Sequence, residues 1–290
     1  MSRIYRIFHR KPLSLSKTPR AQNRLGRRLL PYTLLLRLQH FFLPKPWVQN
    51  LFFSRQVRRI RDLSSTLPGA DTSRIILASL MVNTFQHWRR SIFLDTENRN
   101  QWIKAEGLEK VEKALNSKRG VIIVITHAIG RHLFGPLLNA HFPVDIYAIG
   151  PVDPRKGKKH VTTTMAFQFA AAVKHLQSGG IVFIAGEGAR GQSYLELPLL
   201  GRMFPFRSGF AELAARTGAI PLAIFSSLNM DGSITFELDN IHTSKTGTRQ
   251  EQVDALVRCY AAMLRQREQQ LLSSLRWGKV EQITTFPPVA

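Results

Sequence analysis

The sequence predicts an α/β fold in which a largely parallel central sheet is flanked by helices, preceded by a basic, amphipathic, helical N-terminus. Short apolar runs such as VIIVI at 121–125 and IVFIAG at 181–186 show no polar alternation, as expected of strands buried on both faces. Helical patterns separate these runs along the chain, and such alternation favours parallel pairing. We therefore expect one α/β domain over residues 56–280 and a basic amphipathic segment over residues 1–55.

Helical patterns come before the first predicted strand. The run TSRIILASLMVNTFQHWRRSIF carries apolar residues on one face and begins at a candidate cap, Thr72 or Ser73. The next pattern, GLEKVEKALNSKRG, predicts a short amphipathic helix that ends at Gly120.

The rest of the chain alternates between the two kinds of pattern. The last pattern, over 250–275, predicts one long final helix. The other helices are expected near 131–140, 165–178 and 206–219, and the other strands at VDIYAIG (144–150), IPLAIFSSL (220–228) and SITFEL (233–238).

The composition is that of a globular protein. Of 290 residues, 44% are hydrophobic and 21% are charged, which excludes a wholly disordered chain, a collagen and a coiled coil. The single cysteine, Cys259, excludes an intramolecular disulfide and a cysteine-based zinc site. We predict no metal and no tightly bound cofactor.

The positive charge of the chain is concentrated near its start. The sequence holds 41 Lys and Arg against 19 Asp and Glu, a net charge of +22. Residues 1–61 contain 15 of these basic residues and no acidic one, which leaves 26 basic against 19 acidic residues in the rest. Such a segment predicts an anionic partner, either a membrane, a nucleic acid or a targeting receptor.

Apolar residues within this basic segment favour the membrane. The run LLPYTLLLRLQHFFLPKPWVQNLFFS has no unbroken apolar stretch near the roughly 20 residues that cross a bilayer, so it predicts helical pieces lying in an anionic membrane interface. Two alternatives stay open, namely that these residues pack on the domain or that the segment is a cleaved transit peptide. Nucleic acid is disfavoured because the chain has no zinc finger, basic zipper or RNA-recognition signature.

Two loops hold the candidate chemistry, because functional loops of such sheets lie beyond the carboxyl ends of the strands. In THAIGRH, His127 follows a buried strand and precedes a helix, and a neutral imidazole there can act as a general base. The alternative is an ordinary packed or loop histidine, one of 9 in the chain.

The second loop, GEGARGQ, combines small residues with one cation. Backbone N–H groups near Gly188 together with the Arg190 guanidinium can bind phosphate oxygens, although a plain turn has the same composition. The loop has neither the Walker A nor the dinucleotide-binding glycine pattern.

Taken in order, these segments resemble the lysophospholipid acyltransferase superfamily, and most closely its bacterial lipid A biosynthesis (lauroyl/myristoyl) branch. The run VIIVITHAIGRHLFGPLL resembles the catalytic block, and LPLLGRMFPFRSGFAELAARTGAIPLAIF resembles a later segment in which an apolar, glycine-bearing loop leads into a helix and a strand. The EGAR loop is similar to the EGTRS phosphate-contacting motif. The resemblance covers about residues 55–277 and implies a fold like that of glycerol-3-phosphate acyltransferase.

The resemblance also implies a catalytic pair, since these enzymes carry a histidine followed five positions later by an acid, H-x4-D/E. His127 matches the histidine, but the acid position is occupied by His132. Three explanations stay open. His132 orients the base, Glu187 from the second loop supplies the negative charge, or the protein has lost catalysis and kept lipid binding.

The implied activity is transfer of a fatty acyl group from acyl carrier protein or coenzyme A to a hydroxyl of a membrane-borne lipid. Gly188, Arg190, Arg155 and Arg207 are the candidate residues for binding phosphates of the donor or acceptor. A basic surface would steer an acidic carrier protein and hold the enzyme at the membrane. We expect the protein at the cytoplasmic face of a bacterial inner membrane.

Overall fold

A six-stranded sheet forms the centre of the molecule, in a computed structural model that describes residues 32–84, 93, 101–150, 165–188, 193–243 and 246–289. Its strands are β1 (Ile103–Glu106), β2 (Val121–Ile125), β3 (Ile146–Ala148), β4 (Ile181–Ala185), β7 (Ile220–Leu228) and β8 (Ile234–Asn240), and a separate pair is formed by β5 (Tyr194–Leu199) and β6 (Arg202–Arg207). The helices are α1 (Tyr32–Phe42), α2 (Pro46–Phe52), α3 (Ser54–Ser64), α4 (Thr72–Asn83), α5 (Leu108–Asn116), α6 (Arg131–His141), α7 (Met165–Gln177), α8 (Gly209–Thr217), α9 (Arg249–Arg265), α10 (Glu268–Ser274) and α11 (Trp277–Thr284).

The sheet is mostly parallel, which confirms the predicted α/β class. Its strand order is β1-β8-β7-β2-β4-β3, and only the β7–β8 pairing is antiparallel. The central strands are apolar without alternation because helices flank the sheet, so that Val121 to Val124 are fully buried. Helix α8 packs on β2 and β4, while α10 packs on β7 and α4.

The start of α4 differs from the predicted one. Asp71 caps this helix, because its carboxylate accepts the backbone N–H of Arg74 at 3.0 Å. The predicted caps Thr72 and Ser73 are therefore wrong, and both residues belong to the first turn. An aspartate one residue earlier supplies the same acceptor that a threonine or serine would supply.

The end of α5 also differs from the predicted one. The helix ends at Asn116, and the predicted end at Gly120 is wrong. Gly120 lies directly before β2, where a Cβ would come within 2.4 Å of the Leu176 carbonyl oxygen. The glycine is thus required by a close backbone approach rather than by a helix end.

The predicted long helix over 250–275 is two helices, α9 and α10. The break falls at Arg267, whose backbone leaves helical geometry at φ −118° and ψ 22°. The Arg267 guanidinium lies over the ring of Phe225, 4.4 Å from its centroid. Contacts with the sheet therefore override a helical pattern that continues through the break.

A hairpin replaces the predicted apolar loop before α8. Strands β5 and β6 pair in antiparallel register and are joined by Leu200 and Gly201, which have φ of 53° and 68°. Positive φ at both central residues is the geometry of a tight two-residue hairpin turn. Strand β1 was likewise not predicted.

The first helices each have one packed and one exposed side. On α1, the Tyr32 hydroxyl donates to the Gly232 carbonyl at 2.7 Å, and Leu35 is buried in the main core. The opposite sides of α1 and α2 leave large apolar side chains exposed, namely Leu34, Leu38, Phe41, Phe42, Trp47, Leu51 and Phe52. We call these seven residues the apolar face. Within the described ranges, none of the helices has the length and apolar character that crossing a membrane requires.

Candidate active site

The two predicted functional loops lie side by side at one edge of the sheet. Strands β2 and β4 are parallel neighbours, and Ile125 is paired with Ala185 in their register. His127 and Glu187 each follow the last paired residue by two positions. The register of the two strands therefore brings these side chains to the same place.

His127 and Glu187 form a direct pair. The distance from His127 Nδ1 to Glu187 Oε2 is 3.2 Å. An ionised carboxylate can only accept, so Nδ1 carries the hydrogen, and in the neutral form of the imidazole Nε2 keeps its lone pair. The His127 side chain is 30% exposed whereas that of Glu187 is 2% exposed, so a reactant can reach the imidazole but not the carboxylate.

Residues that come later in the chain hold the His127 loop by hydrogen bonds. The N–H of Ile129 donates to the Ser274 carbonyl at 3.0 Å, and Ala128 forms a bridge with Leu275. The Ser226 hydroxyl donates to the carbonyl of Ile129 at 2.6 Å. These bonds restrain the loop before α6 begins at Arg131.

The Glu187 loop is held by the hairpin. The N–H of Gly188 donates to the Pro205 carbonyl at 2.9 Å, and the N–H of Arg207 donates to the Gly186 carbonyl at 3.0 Å. Gly186 approaches the ring of Tyr260 so closely that a Cβ would lie 2.4 Å from Cε1 of that ring. The backbone on both sides of Glu187 is therefore fixed between β4 and β6.

The ammonium of a lysine contacts the same carboxylate oxygen. Lys279 lies on α11, with Nζ 3.6 Å from Glu187 Oε2 and its side chain 7% exposed. Its ammonium also lies 4.8 Å above the ring centroid of Phe204 and donates to Oε1 of Gln282 at 3.2 Å. Glu187 is thus flanked by an imidazole on one side and an ammonium on the other.

These neighbours determine the ionisation of Glu187. Burial raises the pKa of the carboxyl, but the hydrogen bond from His127 and the charge of Lys279 outweigh burial, so the pKa lies below its ordinary value. Burial lowers the pKa of Lys279, and the charge of Glu187 opposes that change. Burial and the negative charge of Glu187 raise the pKa of Tyr260 well above its usual range.

The structure describes three of the other predicted site residues, namely His132, Arg207 and Gly188. His132 is the second residue of α6 and is half-buried. Arg207 ends β6, and its Nε donates to the Gly188 carbonyl at 3.1 Å, while the Gly188 N–H is already used within the protein. Arg155 and Arg190 lie outside the described residues.

Sequence reasoning missed Lys279. Nothing in WGKVEQIT distinguishes this lysine from an exposed one, because its burial comes from packing against the hairpin and not from the helix pattern. The resemblance offered no signal either, since the matching segment ends near 277. Glu187, by contrast, was one of the two partners that the sequence offered for His127, and the other was His132.

Among the described residues, no cluster of metal-binding side chains is present. The arrangement offers instead a half-buried imidazole that is oriented by a buried carboxylate, which is the arrangement of a general base. Neither protein-family models nor curated proteins give a match to this chain.

Proposed function

We propose that the protein is a membrane-associated acyltransferase that moves a fatty acyl group from an acyl thioester to a hydroxyl of a lipid acceptor. The observation that carries this proposal is the 3.2 Å contact between His127 and Glu187. It gives the histidine a carboxylate partner although the acid position of H-x4-D/E holds His132. The fold we propose is that of the glycerol-3-phosphate acyltransferases.

In the proposed reaction, His127 Nε2 takes the proton of the acceptor hydroxyl, and the hydroxyl oxygen attacks the thioester carbonyl carbon. The C–S bond then breaks, and the imidazolium returns the proton to the departing thiolate sulfur. Glu187 keeps the hydrogen on Nδ1 and stabilises the transient imidazolium. Acyl carrier protein and coenzyme A are the candidate donors, and no metal or tightly bound cofactor enters the scheme.

The apolar face supports a membrane partner. Its residues, such as Trp47, Leu51 and Phe52, are more than half exposed, with Arg55 beside them in sequence at the start of α3. An apolar surface with adjacent basic residues suits an anionic lipid interface. We propose that this face lies on the cytoplasmic side of a bacterial inner membrane, and that Arg207, with Arg155 and Arg190, binds donor or acceptor phosphates.

A second candidate is a lipid-binding protein of the same fold without catalysis. The observation that favours it is His132, which brings no negative charge to the position where the resemblance implies an acid. We expect both candidates to bind anionic vesicles, and substitution of Trp47, Leu51 and Phe52 by Ser should weaken that binding in either case.

Acyl transfer separates the two candidates. The purified, detergent-solubilised protein is assayed with acyl carrier protein and coenzyme A thioesters against a panel of lipid acceptors, beside His127→Ala and His132→Asp. We expect turnover in the native protein and its loss in His127→Ala. Turnover that appears only in His132→Asp would establish the non-catalytic candidate and overturn the proposal.

A further inference from the structure

We propose that Lys279 is a positioning residue of this site, whose ammonium holds the buried Glu187 carboxylate ionised and turned toward His127. The proposal rests on the proposed function for its catalytic meaning, but the ionic arrangement can be tested without any turnover. It adds a third side chain, from the C-terminal helix, to the two loops that carry His127 and Glu187.

The imidazole of His127 and the ammonium of Lys279 both contact one oxygen of Glu187. Glu187 Oε2 lies 3.2 Å from His127 Nδ1 and 3.6 Å from Lys279 Nζ. Glu187 Oε1 is buried and makes no hydrogen bond within the described part of the chain. The orientation of the carboxylate is therefore set by contacts at Oε2, and Lys279 supplies one of them.

A buried carboxylate requires such a partner. Removal of a charge from water costs much more than a surface ion pair returns, so an unpaired Glu187 would bind a proton and lose the negative charge that it presents to His127. Lys279 is itself nearly excluded from solvent and lies against the Phe204 ring. Water therefore screens the attraction between the two groups only weakly.

The other charged groups near this pair act against Lys279. Arg207 from β6 and Arg131 from the start of α6 both repel its ammonium, and both lower its pKa. Glu187 is the neighbour that acts in the opposite direction. Tyr260 also faces Glu187, but it stays a neutral phenol because burial and the carboxylate raise its pKa.

The same stretch of chain also holds the base. Ser274 and Leu275, which bind the His127 loop, are separated from α11 by Arg276 alone. Asn83 fixes the start of that helix, since its Oδ1 accepts the N–H of Trp277 at 2.9 Å and its Nδ2 donates to the Leu275 carbonyl at 3.0 Å. One continuous segment thus positions both the base and the cation that holds its partner.

The test is a titration of the Glu187 carboxyl by carbon-13 NMR, with the signal assigned by its loss in Glu187→Gln. In Lys279→Met and Lys279→Gln we expect the pKa of Glu187 to rise by about one unit or more, because the compensating charge is gone. Lys279→Arg should restore the native value. The matched control is Lys110→Met. This lysine lies away from the site and is paired with Asp239 at 3.0 Å, so its substitution should leave the pKa of Glu187 unchanged.

A native titration curve in both neutral variants would overturn the proposal. If neither variant folds, as judged by circular dichroism, the reciprocal measurement decides. In Glu187→Gln the pKa of Lys279, followed by nitrogen-15 NMR of Nζ, should fall below its native value, and an unchanged value would contradict the proposal.

In the acyl-transfer assay, the acid limb of the pH profile should move to higher pH in Lys279→Met and return in Lys279→Arg. If the Glu187 titration shifts in the Lys279 variants but the native protein shows no turnover, the proposed function is wrong and the role of Lys279 stands.

Discussion

Two groups of opposite charges differ in how far water reaches them. At the candidate site, the Glu187 and Lys279 side chains are 2% and 7% exposed. In the other group, Lys110 and Asp239 are 31% and 42% exposed, and Arg267 lies 3.6 Å from the same aspartate. Both groups join a carboxylate to two cationic or potentially cationic side chains. The difference shows that burial, rather than the number of charges, decides which group can hold a fixed geometry.

Access of water decides whether a lost ionic partner can be replaced. Water can replace a lost partner in the exposed group, so its geometry is not enforced and each pair adds little stability. The buried group has no such replacement, so its members must stay ionised and oriented together. The general base that we propose needs a partner of fixed charge and position, and the exposed group does not provide one.

The largest expected contrast is between two lysine substitutions. Lys279→Met leaves a buried carboxylate without its ammonium and should lower the free energy of unfolding by about 3 kcal/mol. Lys110→Met removes a solvated pair and should cost less than about 1 kcal/mol. Urea denaturation followed by circular dichroism measures both.

The double variant Lys279→Met, Glu187→Gln provides the control for this contrast, because it removes both charges and should recover part of the lost stability. Equal losses in Lys279→Met and Lys110→Met would contradict the distinction between the two groups.

A smaller effect should follow from two glycine substitutions beside the buried group. In Gly186→Ala the new Cβ would lie 2.4 Å from Tyr260 Cε1 and 2.7 Å from Val124 Cγ1, so the unfolding free energy should fall by about 2 kcal/mol. Gly278→Ala, next to Lys279, meets no atom within 4 Å and should raise stability by about 0.5 kcal/mol. Thermal unfolding of the two variants compares them, and a stable Gly186→Ala protein would show that the loop is not closely packed.

The smallest effect concerns acid. The pKa of Glu187 and that of Asp239 both lie below their ordinary values, so each carboxylate stabilises the fold above the unfolded pKa, and this stability is lost as the pH falls through the folded pKa. Lys279→Met raises the folded pKa of Glu187, so its share of the loss should begin at higher pH. Urea midpoints of the native protein and of Lys279→Met, measured from neutral to acidic pH, should show this shift. The same pH dependence in both proteins would count against it.

The sequence was sufficient for much of the sheet. The runs that became β2, β4 and β7 have no polar alternation, and that pattern is set by burial on both faces. The two loops at the candidate site were predicted for the same reason, since they follow such strands. His127 was identified directly from its place beyond VIIVI.

The sequence was insufficient where contacts distant in the chain decide the structure. Lys279 resembles any lysine of an amphipathic helix, and only its packing on the hairpin and Glu187 distinguishes it. The choice of Glu187 as the partner of His127 depends on the register between two strands 60 residues apart. The hairpin could not be predicted from the sequence, because its turn, Leu200–Gly201, lacks the Asn-Gly or Asp-Gly signal that favours such turns.

The most direct test of the account is the rate of acyl transfer in Glu187→Gln beside Asp239→Asn. Each variant removes one carboxylate charge, the first from the buried group and the second from the exposed group. We expect Glu187→Gln to lower kcat by about 10⁴-fold, as when a comparable carboxylate behind a catalytic histidine is neutralised, and Asp239→Asn to leave it nearly unchanged. Native turnover in Glu187→Gln would contradict the claim that this carboxylate serves His127.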